Sequence, residues 1–360
     1  MVGLVTGLVG TGVVIAVLAA GGGITGMFAV EAGVSVVNLA WTGRLARRAL
    51  VIEDETGGGT VAADLRRAVA RAALVLSASE VLSLIVERRS EVLFLVHYSG
   101  DVQIALYSIV FSIVSALLQL PYAMAAAIGP AVATLFGAGS FERIRNGYGR
   151  AVRLQITAMM PLTALGLSVG PALLRLVYGS EYRGTRPILL VMMGAFPVMA
   201  ASAAANALLT GLGKLRELLL ARALAAAVDV GLAAVLVPAH AAVGAAVANV
   251  GAQIVLAAAL LTSARRAIGS VRWEVGVLLR ASLAGTAAGL AAWVSVYALG
   301  EGAGLAVGLV TALLAFTIVA LALKVFAEDD AAWLEATVGS YFGGAAGWFF
   351  RAASSGNQPH

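Results

Sequence analysis

The sequence predicts an all-α, polytopic membrane protein with about ten transmembrane helices. Hydrophobic residues make up 61% of the 360-residue chain and charged residues only 12%. Apolar runs of about 20 residues, the length a helix needs to cross a ~30 Å hydrocarbon core, recur from end to end. The connections between those runs alternate in charge, with arginine concentrated in every second one.

The expected spans are 2–20, 24–42, 78–98, 104–128, 154–177, 187–210, 217–237, 241–263, 278–299 and 304–326. The first begins at Val2 without a basic leader or cleavage motif, so it reads as a span and not a signal peptide. One set of connections carries Arg44, Arg47, Arg48, Arg66, Arg67 and Arg71, then Arg143, Arg145, Arg150 and Arg153. Lys214, Arg216, Arg265, Arg266 and Arg272 fall on the same side. The other connections ("GGG" at 21–23, "SGD" at 99–101, "PAHA" at 238–241, "GEGAG" at 300–304) are short and nearly uncharged. Only "YGSEYRGTR" at 178–186 carries base there. The positive-inside rule makes the arginine loops and both termini cytoplasmic. Abundant Ala, Gly and Arg with little Lys suggest a GC-rich bacterial source, and hence the bacterial plasma (inner) membrane.

Two segments read as surface-lying rather than spanning. Residues 61–77, "VAADLRRAVARAALVLS", place arginine on one side and Ala, Val and Leu on the other, as in a helix lying at the interface. The tail beyond Lys324 is broken by glycine and charge, and its Trp333, Tyr341, Phe342, Trp348 and Phe349 suit an interfacial belt. Pro121, Pro161, Pro171 and Pro197 fall inside spans and are expected to kink them. The pairs Gly3/Gly7, Gly166/Gly170, Gly285/Gly289 and Gly304/Gly308 allow close helix contact, although glycine is common in membrane helices anyway.

Several chemistries are not expected. There is no cysteine, so thiolate metal sites and cysteine nucleophiles are absent. His97, His240 and His360 are scattered, with no HExxH, and no metal or cofactor is expected. "GGGITG" at 21–26 fits GxGxxG but follows an apolar helix, so it reads as a turn. The net charge of +5 reports topology, not nucleic-acid binding.

The span 78–98 contains "ERRSE" at 87–91. A loop there would leave "VLFLVHYSG" too short to cross and would invert every later connection, so the charges are intramembrane. On a helix, Glu80, Glu87, Glu91 and Tyr98 share a narrow face, Arg88 flanks it, and Arg89 points nearly opposite, among Ile85, Val92 and Val96. Four uncompensated charges near the bilayer centre would cost roughly 10 kcal/mol or more. Either they neutralise one another, with Arg88 and Glu91 as an i,i+3 pair, or they face a hydrated cavity. In that cavity arginine would meet an anionic substrate and a glutamate would couple to protons or sodium. Other polar residues at membrane depth are Glu31, Gln119, Gln155, Asp229, Asn249 and Gln253. In the hairpin 217–263, Asp229 and Asn249 lie equally far from the turn near Ala239 and so at similar depth; Asn249 and Gln253 share a face at i,i+4. They serve as interhelical polar glue or as cavity lining.

Three segments resemble one family. "RRSEVLFLVHYSGDVQIALYSIVFSI" (88–113) resembles the R-x-D-x-x-x-L-(G)…Y pattern that opens the second half of polysaccharide-type flippases of the multidrug/oligosaccharidyl-lipid/polysaccharide exporter superfamily. "LLRLVYGSEYRGTRPILLVMM" (173–193) is similar to its L-x-x-G-x-x-Y-x-x-A external turn. Residues 207–255 are similar to its G-K…N…L-I-P-x-x-G-x-x-G-A-A hairpin. Glu91 stands where the family usually has Asp, and Asp229 where Asn is common.

The resemblance implies two six-helix lobes around a central cavity, with two extra C-terminal helices. Residues 1–42 would be the last two helices of a truncated first lobe, 43–77 a cytoplasmic amphipathic linker, and 78–263 the six-helix second lobe. Residues 264–326 would add two helices and 327–360 an interfacial cytoplasmic tail. A longer native chain, a truncated gene or a partner chain supplying the missing helices would account for the short first lobe. The implied activity is flipping of a polyprenyl-diphosphate-linked glycan by alternating access. Glu87, Arg88, Arg89, Glu91 and Tyr98 would bind substrate, with arginine on the diphosphate. Glu31, Glu80, Asp229, Asn249 and Gln253 are the polar-cavity or ion-coupling candidates. The alternatives are a multidrug-type cation-coupled antiporter of the same superfamily, a membrane glycan polymerase or ligase, and an inactive remnant. An enzyme is not expected, because the longest external loop is about nine residues and no P-loop is present.

Overall fold

A computed structural model describes residues 90–269 and 275–326 without interruption, parts of 10–44 and 74–82, and positions 330 and 352–354. Among these residues regular structure is helical, as the apolar periodicity predicts. The chain divides into two compact units, Met1–Ala70 and Arg71–His360.

In the first unit the described helical residues lie on either side of Gly21, whose φ of 79° suits a tight turn. A Cβ on Gly10 would sit 3.1 Å from Val34, and one on Gly26 2.7 Å from Val17. The two arms therefore run back along each other, as the expected spans 2–20 and 24–42 require.

The second unit contains α1 (Glu91–Tyr98), α2 (Asp101–Ala125), α3 (Ile128–Gly137), α4 (Phe141–Ser168) and α5 (Gly170–Tyr178). A 3₁₀ turn at Ser180–Gly184 leads to α6 (Thr185–Gly211), followed by a 54-residue helical run, α7 (Leu215–Ile268). Then come α8 (Val275–Leu299) and α9 (Glu301–Leu323). Among the described residues five helical stretches, α2 with α3 counted as one, are long and apolar enough to cross a membrane, or six if α4 and α5 are one bent span.

At about 1.5 Å per residue, α7 is far too long for one crossing. It reverses at Ala241, where φ is 48° and ψ −127°. A Cβ on Gly244 would lie 2.2 Å from the Leu236 carbonyl oxygen, and one on Gly251 2.6 Å from Leu232, so the arms 215–240 and 242–268 are in backbone-close contact. Gln103 on α2 accepts from the Ala242 amide at 3.4 Å and steadies the turn.

Proline does not interrupt every span. The pronounced bend, 57°, separates α4 from α5, where Pro171 occupies the first turn of a restarted helix. Pro161 and Pro197 lie inside α4 and α6 without a break, while α2, which contains Pro121, ends at Ala125 and gives way to α3. The span expected at 104–128 therefore continues as helix to Gly137.

α6 is the central helix. In its most apolar stretch 72% of residues are buried, against 17% in α9, which presents Leu309, Val310 and Leu313 outward as a lipid-facing helix should. Gly3/Gly7 lies outside the described residues, and small residues set the helix spacing at pairs farther along the chain. A Cβ on Gly285 or Gly289 of α8 would meet the Met160 or Ala164 backbone of α4 at 3.0–3.1 Å. Gly304 and Gly308 of α9 press likewise on Ser295, Val296 and Ala292 of α8.

Two apolar cores stack along the unit. One joins Leu95, Tyr107, Met192, Phe196, Ala233 and Ala248. The other, toward the arginine-rich ends, joins Ile144, Leu208, Ala225, Ala252 and Leu260. Trp333, Tyr341, Phe342, Trp348 and Phe349 of the tail, and most of 61–77, lie outside the described residues. Asp330 and Ala353 are buried, and the Phe326 amide donates to the Ala353 carbonyl at 3.0 Å. Asp330 is drawn in by Arg150 and Arg153 of α4, whose charges it offsets.

Candidate functional site

The seam between the two cores is where the polar residues meet. Asp229 lies between Ala226 of one core and Ala233 of the other, and Asn249 between Ala248 and Ala252. Counting from Ala241, Asp229 is about 18 Å and Asn249 about 12 Å from the turn, so both lie within the hydrocarbon span. α1 delivers the third member. Its first residue, Glu91, faces Asp229 and Asn249.

Glu91, Asp229 and Asn249 are each 0% exposed. Ser90, immediately before α1, donates its hydroxyl to Asp229 Oδ2. Neither Glu91 oxygen nor Asp229 Oδ1 completes a hydrogen bond of ordinary geometry among the described residues. Two buried carboxylates side by side need a compensating positive charge, because in a low-dielectric interior their repulsion adds to the desolvation cost of each. That charge can be a proton or a small metal cation.

Asn249 also opens onto a cavity of about 460 Å³. Gln253, one turn further along the same arm, lines it with Gln119 and Tyr122 of α2 and Met192 and Met199 of α6. The volume is within the usual range for small-molecule sites. Amide groups supply orientation, while flexible thioethers and rings accommodate apolar bodies.

Of the residues expected from sequence, the structure thus brings together Glu91, Asp229, Asn249 and Gln253. Glu31, Glu80, Glu87, Arg88 and Arg89 lie outside the described residues. Tyr98 does not join the acid pair. It is 54% exposed at the end of α1 and meets His97 edge to face, because the helix stops there and Ser99 is extended.

Arg222 was missed. It lies inside the expected span 217–237 and donates to Ser79 at 2.8 Å and to Asn206 of α6 at 3.4 Å. An arginine within an apolar span was signal enough to notice it. Its partners, one on the preceding helix and one 143 positions away, were not deducible.

The described residues define a polytopic all-α membrane protein with a buried acidic pair beside an internal cavity. Residues 88–235 match the model of the MatE family. The chain is similar to a structure described as the outward-facing conformation of a multidrug resistance MATE family transporter of the MOP superfamily, at 15% identity and a TM-score of 0.52. That match covers 79% of this chain and 77% of the other, and shows that the two share a fold. A MOP superfamily transporter from Pyrococcus furiosus Vc1 (DSM3638), whose reversed binding-pocket polarity is said to suggest a different function, aligns at 16% identity and 0.46, covering 77% and 71%. A MATE structure in the straight conformation aligns at 17% identity and 0.48, covering 78% and 74%. No curated protein sequence matches the chain.

Proposed function

We propose that this protein is a membrane transporter of the MOP superfamily that works by alternating access, and that it couples export of an amphipathic organic molecule to inward movement of a proton or sodium ion. The arginine-rich helix ends face the cytoplasm. One observation carries the reading: two buried carboxylates, Glu91 and Asp229, meet at mid-depth and share Asn249 with the cavity. A cation entering the pair removes its repulsion and changes what Asn249 can bond, so cation and substrate influence one another through one residue.

A flippase of lipid-linked glycans is the second reading. It is favoured by the sequence pattern at 88–113 and by the α8–α9 hairpin that follows the six-helix lobe. On that reading Arg88 and Arg89 would meet the diphosphate.

Proteoliposomes holding the full chain separate the two. Under an imposed proton or sodium gradient, ethidium should be transported by the wild type and not by Asp229→Asn. If ethidium does not respond to either gradient while a fluorescent lipid-linked glycan crosses and Arg88→Ala stops it, the antiporter reading is wrong and the flippase reading stands.

A further inference from the structure

A second cavity, of about 630 Å³, lies away from the acid pair along one face of α4. Its α4 lining recurs at helical spacing, from Arg143 through Gly147, Ala151, Leu154 and Ala158 to Pro161. Eighteen residues of helix span about 27 Å. Half of a 40–45 Å bilayer is about 20–22 Å. The cavity therefore runs the depth of one leaflet, starting at the arginine-rich end of the helix.

Its two ends differ in chemistry. The deep end is apolar, with Phe316 of α9 and Pro161. At the shallow end Arg143 is exposed at the mouth and Arg150 is half-buried. Arg143 and Arg150 are the charged residues of the lining, and the one acid bound to Arg150, Asp330, is shared with Arg153, so the mouth keeps a positive charge. Between the ends stands Tyr148, 3% exposed, its hydroxyl buried and without a hydrogen-bond partner among the described residues. It lies about 8 Å deeper than Arg143 along the helix.

We propose that this cavity holds one anionic phospholipid of the cytoplasmic leaflet as a bound, untransported lipid. The phosphate sits at Arg143 and Arg150, the glycerol backbone passes Gly147, and an acyl chain descends toward Phe316 and Pro161. Basic pockets between helices on the cytoplasmic side are suited to such headgroups, and the anionic leaflet supplies them. The proposal takes only the orientation of the arginine-rich ends from the function proposed above, and its test requires no transport.

The delipidated full chain would be titrated by native mass spectrometry with phosphatidylglycerol and with phosphatidylcholine of the same acyl chains. Phosphatidylglycerol should bind more than about tenfold tighter, and Arg143→Gln should cost about fivefold of that preference, the effect of one surface arginine. Arg143 is exposed, so the variant should fold. Ala131→Trp, at an exposed lining position, should block the mouth and weaken both lipids. Equal affinity for the two lipids, an unchanged preference in Arg143→Gln, or no effect of Ala131→Trp would each overturn the proposal. Failure of the wild type to take up either lipid would mean that the chain fills the space itself, and would overturn it too. Loss of lipid selectivity alongside intact gradient-driven ethidium transport would end this proposal and leave the transporter reading standing; the reverse would leave this one.

Discussion

Asp330 is the residue whose removal has the most calculable effect. Its carboxylate is 1% exposed and accepts from Arg150 Nε at 3.1 Å, Arg153 Nε at 3.0 Å and Arg153 Nη2 at 2.9 Å. The two bonds from Arg153 form a bidentate pair, the stronger geometry. Breaking a buried ion pair costs about 3–5 kcal/mol, and an exposed one about 0.2–1 kcal/mol. With side-chain exposures of 13% for Arg153 and 34% for Arg150, this cluster lies between those limits. Asp330→Ala should therefore cost about 2–3 kcal/mol. Most of it should flow through Arg153, with a coupling energy of about 1.5–2 kcal/mol, against less than about 1 kcal/mol for Arg150. Reversible unfolding of the full chain in mixed detergent–SDS micelles, run on both single variants and the double variant of each pair, measures those couplings. Additive effects for Asp330 and Arg153 would refute the reasoning, since they would mean the carboxylate stabilises nothing through α4.

Other substitutions probe the helix contacts and a second partly buried arginine. Gly244→Val places a Cβ against the Leu236 carbonyl, a backbone contact that no rotamer relieves, and should cost about 3 kcal/mol in the same unfolding assay. Gly289→Leu should lose about 1–3 kcal/mol by forcing α8 from α4. Ala241→Gly should stabilise by about 1 kcal/mol, because φ of 48° with ψ of −127° is a conformation that suits glycine. Arg222→Met should cost about 1–2 kcal/mol by leaving Ser79, which is 1% exposed, without that donor.

Span periodicity made most of the fold legible, because it follows from the thickness of the bilayer itself. That Asp229 and Asn249 sit on facing arms was also readable from the hairpin, but their expected equal depth was not met: the turn is at Ala241, two residues beyond the expected Ala239, which leaves Asp229 about 6 Å further from it than Asn249. What the sequence could not show was pairing across elements. The meeting of Glu91 and Asp229 depends on how α1 lies on α7, and no local pattern encodes that. The same holds for Arg222 with Ser79 and for Asp330 with Arg153, whose partners are 143 and 177 positions away. The helical wheel put Tyr98 on the face of Glu91, but a wheel ignores height: the two stand at opposite ends of α1, about 10 Å apart along its axis.

The acid pair is tested most directly by gradient-driven transport in proteoliposomes with the wild type and Glu91→Gln side by side. A proton or sodium gradient should drive ethidium against its own gradient in the wild type. In Glu91→Gln the protein should still bind ethidium, through the Asn249 and Gln253 cavity, but accumulation should vanish. Full gradient-driven accumulation by Glu91→Gln would contradict the assignment of the buried pair as the coupling site.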